Sequence, residues 1–313
     1  KKAETTTTGF NVIGSLLVNG AALSTSPEVS GTASGAITAG KPVVVNTNGT
    51  FSQVTEIISV NNPVTTATSG QTTAFNSSYG YQPKIIYDTQ NDQMLVFFYE
   101  QANSFRQCVQ LGTPNAAGEV VWQATGNELP LTTTESNQDS VAYLGSGKSV
   151  LVCRNGADSN YLSYIVVSNN GSNLSAGSLA RVAGVAIQPS KSVSKWHSAA
   201  SRLFVTYTNI ASFSGDPFLL RIASLSGTTL SFGSEQTVSS ATAYSAGMAY
   251  DEDTERMIVG YVLNSSNIGY VKVTSVSGTT ATFGSAIACT DSDVVAPYQK
   301  MDVQYDTYNN RVV

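Results

Sequence analysis

The sequence predicts an all-β chain: a β-propeller-like array of four-stranded antiparallel blades, preceded by a small N-terminal β module. Three observations predict it. Ser226–Ser234 reads SGTTLSFGS and Ser277–Ser285 reads SGTTATFGS, so seven of nine positions recur 51 residues later. An aromatic residue also recurs ahead of a short polar stretch, at Tyr87-Asp88, Tyr143-Leu144, Trp196-His197, Tyr250-Asp251 and Tyr305-Asp306, with spacings of 56, 53, 54 and 55 residues. No stretch carries sustained helical periodicity or a capping box followed by an apolar run. Self-similarity at a fixed period marks an array of one supersecondary unit, and about 55 residues suits a blade of four strands.

In chain order, residues 1–8 form a polar, Thr-rich arm, expected to lack a fixed fold. Residues 9–60 form a β module for attachment or oligomerisation. In it Phe10–Leu23 (FNVIGSLLVNGAAL) carries an apolar cluster around Ile13, Leu16, Leu17 and Val18, and Gly35–Val54 (GAITAGKPVVVNTNGTFSQV) reads as short strands joined by turns. So short a module has a thin core and is expected to lean on neighbours. Residues 61–80 read as a Ser/Thr/Asn-rich linker.

The repeats fill residues 81–313, as units 81–137, 138–191, 192–244, 245–298 and a partial 299–313. After each aromatic anchor comes an apolar run, LVFFY at Leu95–Tyr99, VLVC at Val150–Cys153, LFVTY at Leu203–Tyr207, IVGY at Ile258–Tyr261 and RVV at Arg311–Val313. Such runs read as strands. The intervening YDTQND, YDEDTE and YDTYNN stretches read as hairpin loops, where Asp and Asn side chains bond their own backbone. Two more strands per unit follow, in the fourth unit Gly269–Val276 and a continuous Ala281–Ile287, with sequential blades turning at the Ser226–Ser234 and Ser277–Ser285 hairpins. The second unit lacks both the Asp after its anchor and the SGTT turn.

Composition narrows the function. Charged residues make up 12% of the chain and the formal net charge is −5. A surface polar through hydroxyls and amides offers no basic stripe for phosphates, so no nucleic acid is expected as partner. The apolar stretches fall short of the ~20 residues a membrane-spanning helix needs, and Lys1-Lys2-Ala-Glu-Thr-Thr begins no secretory signal, so no membrane insertion is expected. Cys108, Cys153 and Cys289 lack metal-ligand spacing and read as structural thiols.

No catalytic, cofactor-binding or metal-ligating residue is assigned from the sequence. His197, the one histidine, fills the slot that Asp88, Asp251 and Asp306 hold elsewhere, which implies a turn role. The acidic run Asp251, Glu252, Asp253, Glu255 lacks the spaced ligands and Gly of a calcium loop. A glycosidase needs two carboxylates about 5–9 Å apart across one bond. Asp88, Asp251 and Asp306, being repeat-equivalent, are expected at matching points around the ring and not as a convergent pair. Aromatic residues are the better binding candidates, because their faces stack on sugar rings. Tyr87, Tyr143, Tyr250 and Tyr305 recur with the repeat and read as packing residues between blades. Trp122, Trp196 and the tyrosines expected on loops, Tyr79, Tyr81, Tyr161, Tyr244 and Tyr298, carry what information there is about ligands, without a ranking.

The GAITAGKPVVVNTNGTFSQV leader, followed by Tyr-Asp units and VSGTTxxFGS turns, resembles the virion appendage proteins of tailed bacteriophages, particularly those of marine hosts. The resemblance covers nearly the whole chain, with the second unit departing from it. It implies a tail-fibre, tail-spike or capsid-fibre component located in the virion. Residues 9–60 would attach to other virion proteins and the repeats would face outward. The expected function is a non-enzymatic structural protein engaging a host-surface glycan or receptor, as a homo-oligomer with a trimer favoured. The alternatives are a glycan-cleaving spike and a purely structural decoration protein.

Overall fold

The computed structural model describes residues 2–6, 9–13, 17–18, 21–22, 32–37, 43–45, 50–53, 80–100, 105–115, 119–123, 128–132, 136–186, 192–208, 217–289, 301–306 and 311–313. The chain divides into two compact units, Lys1–Ser69 and Gly70–Val313. Among the described residues the one helical segment is a 3-10 turn at Gly156–Asp158, and no helix is long and apolar enough to cross a membrane.

In the first unit, β1 (Lys2–Thr6) pairs antiparallel with β2 (Gly9–Ile13). Lys2–Thr6 was expected within an arm lacking a fixed fold. Its threonines, Thr5 and Thr6, are β-branched and suit a strand. Two shorter ladders follow, β3 (Leu17–Val18) with β4 (Ala21–Ala22), and β5 (Val43–Val45) with β6 (Phe51–Gln53). The linker expected at 61–80 lies outside the described residues except for Gly80.

Among its described residues the second unit contains four five-stranded antiparallel sheets and a two-stranded one, so the fold is an all-β array of blades. Blade 1 comprises β7 (Gly80–Asp88), β8 (Gln93–Glu100), β9 (Arg106–Pro114), β10 (Val120–Trp122) and β11 (Leu129–Pro130). Blade 2 comprises β12 (Ser136–Gly145), β13 (Lys148–Asn155), β14 (Tyr161–Asn169), β15 (Leu174–Ala176) and β16 (Ala180–Ala186). Blade 3 comprises β17 (Val193–His197), β18 (Arg202–Thr208), β19 (Phe218–Ser226), β20 (Thr229–Phe232) and β21 (Gln236–Ser239). Blade 4 comprises β22 (Ala243–Asp251), β23 (Arg256–Leu263), β24 (Gly269–Ser277), β25 (Thr280–Phe283) and β26 (Ile287–Ala288). A fifth unit begins with β27 (Tyr305–Asp306) and β28 (Arg311–Val312). The second unit of the repeat is therefore a full blade despite its divergent turn.

The anchors occupy one structural position. Tyr87, Trp196, Tyr250 and Tyr305 each pair across to a residue seven later, Met94, Leu203, Met257 and Val312, and Tyr143 pairs with Ser149. Each anchor sits on the first strand of its blade. These first strands touch one another in sequence order and line one cavity, so they are the innermost strands around a common axis.

The second strands read as unbroken apolar runs because both of their faces are covered. In β13, Leu151 and Cys153 join the cluster shared with blade 1, while Val150 and Val152 join the cluster shared with blade 3. In β18, Leu203, Val205 and Tyr207 face blade 2 and Phe204 faces blade 4. The core is thus a series of seams between blades, and burying each such side chain contributes about 1.5–3 kcal/mol. At the last seam, Gly247 and Gly260 pair across β22 and β23, and Met301 and Val303 lie against them where any Cβ would stand.

Two expectations about the outer strands are corrected. The SGTT hairpins do not turn from one blade to the next. Each joins the third and fourth strands of a single blade, with Gly227 or Gly278 at φ +60° in a two-residue loop, the placement a type II′ turn requires. Nor is Ala281–Ile287 one strand. β25 pairs Thr274 with Phe283, but β26 pairs Val271 with Ile287, so the register slips by one residue across Gly284–Ala286. The same slip separates β20 from β21.

Candidate functional site

The inner strands enclose an axial cavity of about 450 Å³. All five anchors line it: Tyr87, Tyr143, Trp196, Tyr250 and Tyr305, one from each unit. Ser194, Lys195, Ser198, Glu252 and Gln304 add polar groups to its wall. A position that recurs once per blade must recur around the axis, so an aromatic residue at that position becomes a ring of aromatics.

The rings are held by the blade before them. The Tyr143 hydroxyl donates to Asp88 Oδ1 at 2.7 Å, and the Tyr305 hydroxyl donates to Asp253 Oδ2 at 2.9 Å. At the junction of blades 2 and 3 the Asp slot holds Leu144 and the anchor is Trp196, both in one apolar cluster. A hydroxyl–carboxylate pair is replaced there by an apolar pair. At the next junction His197 fills the slot and its ring lies 4.4 Å from that of Tyr250, centroid to centroid. Tyr87 instead donates to Asp92 of its own blade and is 44% exposed.

The residue after each anchor also shapes the turn that follows. Asp88 Oδ1 accepts from Gln90 N at 3.0 Å, and Asp251 Oδ1 accepts from Asp253 N and Thr254 N, both at 3.1 Å. His197 imitates them, its Nδ1 accepting from Ala200 N at 3.2 Å. Nδ1 is therefore unprotonated, and Nε2 carries the proton and donates to Glu255 O at 3.2 Å. Burial lowers the imidazole's proton affinity, and the Glu255 carbonyl only partly offsets it. The turn role expected for His197 is what the geometry gives.

Asp88 is fully buried and anchors a network across the first junction. Its Oδ2 accepts from Asn91 and from Asn169, each at 2.8 Å, and Asn169 also donates to Gln93 Oε1 at 2.9 Å. Burial alone would raise the carboxyl's pKa, but donors from Asn91, Tyr143, Gln90 and Asn169 outweigh it and hold it below the ordinary carboxylate value. None of Asp88, Asp251 and Asp306 lines the cavity. The Asp251 carboxylate is occupied by its own turn and by Thr254 Oγ1 at 2.6 Å, and Asp306 lies 3.9 Å from Arg311 Nε. Among the described residues no group of three or more His, Cys, Asp or Glu is placed to hold a metal ion.

The remaining candidates are dispersed. Trp122 packs over Gly112 within blade 1, and Arg181 stacks 4.0 Å above the Tyr161 ring while bonding Asp158. Tyr81, Tyr161 and Tyr244 lie in strands β7, β14 and β22, not on loops, because the strands reach further than their apolar runs suggest. Tyr79 and Tyr298 fall outside the described residues. Cys108 and Cys153 are buried and Cys289 is exposed, all as free thiols. Burial pushes the Cys108 thiol up to about 12, against the pull of Arg106, so it packs as a small apolar side chain. Among the described residues, Trp196 alone of the ligand candidates read from sequence reaches the cavity. The other four rings there are the ones taken for packing, and the repeat itself was the signal that could have found them.

No family profile and no curated protein matches the chain. Among solved structures, a mutant of AofleA from Arthrobotrys oligospora is similar at 12% identity and a TM-score of 0.49, covering 74% of this chain, which spans 63% of that one. The alpha-L-arabinofuranosidase CtGH43 from Clostridium thermocellum is similar at 11% identity and a TM-score of 0.41, covering 69% of this chain and 75% of that one. Neither likeness, at these values, bears on function.

Proposed function

We propose that this chain is a non-enzymatic binding protein whose axial cavity takes a polyhydroxylated ligand, a surface glycan, in the setting of a virion fibre or spike. The ring of five aromatic anchors carries the reading. Aromatic faces stack on the apolar faces of sugars, while nearby hydroxyl and amide groups meet their hydroxyls. The wall holds one cation, Lys195, and one carboxylate, Glu252, among the described residues. Glycoside hydrolysis by the usual route needs two carboxylates flanking the bond, so a lone Glu252 favours binding over cleavage. The virion setting and attachment through residues 9–60 to other virion proteins, as a homo-oligomer, rest on the sequence resemblance.

The test is retention on immobilised host-envelope polysaccharide, with the chain length of the polymer followed in parallel. Retention with intact polymer is expected, weakened about tenfold, or ~1.4 kcal/mol, by Trp196→Ala and by Tyr87→Ala. Tyr87 is half-exposed, so its truncation tests the cavity with little risk to the fold. Shortened polymer would make the chain an enzyme, and retention indifferent to both variants would remove the cavity from the reading.

A further inference from the structure

The SGTT and FGS halves of the repeated motif fit each other across blades. The interruption of each fourth strand begins with an amide that donates to the third strand: Gln123 to Leu111 O, Gly177 to Val166 O, Gly233 to Ile222 O and Gly284 to Val273 O, at 2.8–2.9 Å. These are four copies of one socket. In the first three the outer hairpin of the next blade fills it.

On blade 1, Gln93 donates to Gly171 O at 3.1 Å and Gln123 donates to Ser172 O at 3.3 Å, so the blade 2 hairpin is held at its tip. On blade 2, Thr228 lies where a Cβ on Gly177 would stand. On blade 3, Thr279 lies over Gly233 in the same way, Arg202 Nε donates to Gly278 O at 2.8 Å, and Gln236 donates to Thr279 O at 3.2 Å. The glycine makes room for the threonine, and a cation or amide at the start of the second strand caps the tip.

The fourth socket has the same parts, and among the described residues no hairpin lies over it. Leu111, Val166 and Ile222 are 2%, 0% and 0% exposed, whereas Val273 in the same place is 46% exposed. Ile287, the counterpart of Gln236, is 62% exposed. A Cβ on Gly284 would meet only Val273 O, at 3.3 Å, where its counterparts meet a threonine. Arg256, the counterpart of Arg202, is exposed and opens the second strand of its blade.

We propose that the outer edge of blade 4 is a docking surface for the Gly-Thr hairpin of a further blade of this repeat type. At all three filled sockets the occupant is the outer hairpin of the blade next in sequence. The chemistry required is a tight β-hairpin with a threonine whose Cβ and hydroxyl cover Gly284, as those of Thr228 and Thr279 cover Gly177 and Gly233, and a tip carbonyl within reach of Arg256.

The probe is a disulfide-cyclised, fluorescently labelled peptide copying residues 220–236, titrated against the full 313-residue chain, with sedimentation run alongside. Saturable binding is expected, weakened at least tenfold by Gly284→Val or Arg256→Ala in the chain and by Thr228→Gly in the peptide. A Cβ at Gly284 meets only Val273 O, at 3.3 Å, a contact relieved by a shift of a few tenths of an ångström, and unchanged thermal unfolding of Gly284→Val checks that the fold is retained. Absence of binding, or binding indifferent to these changes, would overturn the proposal. Self-association of the chain that Gly284→Val abolishes would also overturn it, by making a second copy the occupant.

Discussion

Asp88 and His197 occupy one slot in two blades and solve it with different chemistry. Asp88 gathers four donors, and its removal takes from Asn91 and the buried Asn169 an acceptor they share, leaving each side-chain amide with one partner, Asn169 O and Gln93 Oε1. Asp88→Ala is expected to cost about 2–4 kcal/mol at neutral pH, read from urea midpoints. Because its folded pKa lies below the unfolded value of about 3.9, its contribution is complete above that pH and is lost as pH falls through the folded value. His197 behaves alike in sign. Its folded pKa is depressed, so its contribution is complete above about 6.5 and declines as pH falls below it, where only the unfolded chain takes up the proton. Protonation in the fold would set an Nδ1–H against the Ala200 amide. Between pH 7 and pH 5 the wild-type urea midpoint should therefore fall by more than that of His197→Asn, whose amide oxygen can still accept from Ala200. Equal slopes would separate His197 from the acid response.

At the scale of elements, the second strands were plain in the sequence because burial on both faces leaves no polar alternation to misread. The fourth strands were not. Ala281–Ile287 looked continuous because a one-residue slip changes no composition, only which residue faces which. The socket glycines make this testable. A methyl at Gly233 overlaps Thr279, whereas a methyl at Gly284 meets only Val273 O, at 3.3 Å, a tight contact relieved by a small shift. Gly233→Ala is expected to destabilise by about 1–3 kcal/mol and Gly284→Ala by less than ~1 kcal/mol, measured by denaturant unfolding. The two glycines look identical in the motif, so only the neighbouring blade tells them apart. The aromatic ring was hidden for a related reason. A tyrosine repeated every 53–56 residues reads as packing when each copy is considered alone, and its role emerges only when the copies converge on one axis.

For the whole molecule, each seam joins only adjacent blades, so stability accumulates blade by blade from nearest neighbours. Residues 70–313, expressed without the first unit, should retain the far-ultraviolet spectrum and the unfolding transition of the full chain, since the seams all lie within that unit. A collapse of the transition would place part of its core in residues 1–69. A central lesion behaves differently from a terminal one in such an array. Tyr164 exchanges two hydrogen bonds with the Leu230 backbone, at 3.1 and 3.0 Å, joining blades 2 and 3. Tyr164→Phe should lower the midpoint and broaden the transition as the two halves begin to unfold apart.

The slip in the outer strands also governs how the rim of the array meets other molecules. A straight peripheral strand offers a row of unpaired amides and carbonyls on which a foreign strand can be templated, the first step toward fibrous aggregation. With β20 and β21 offset by one residue, and β25 and β26 likewise, no peripheral run of a single register exceeds four residues in these two blades. A visiting strand matched to one half is mismatched to the other. Deleting one residue from Gly233–Glu235 would straighten the rim of blade 3, and seeded thioflavin fluorescence should then rise in the variant while the parent chain stays dark.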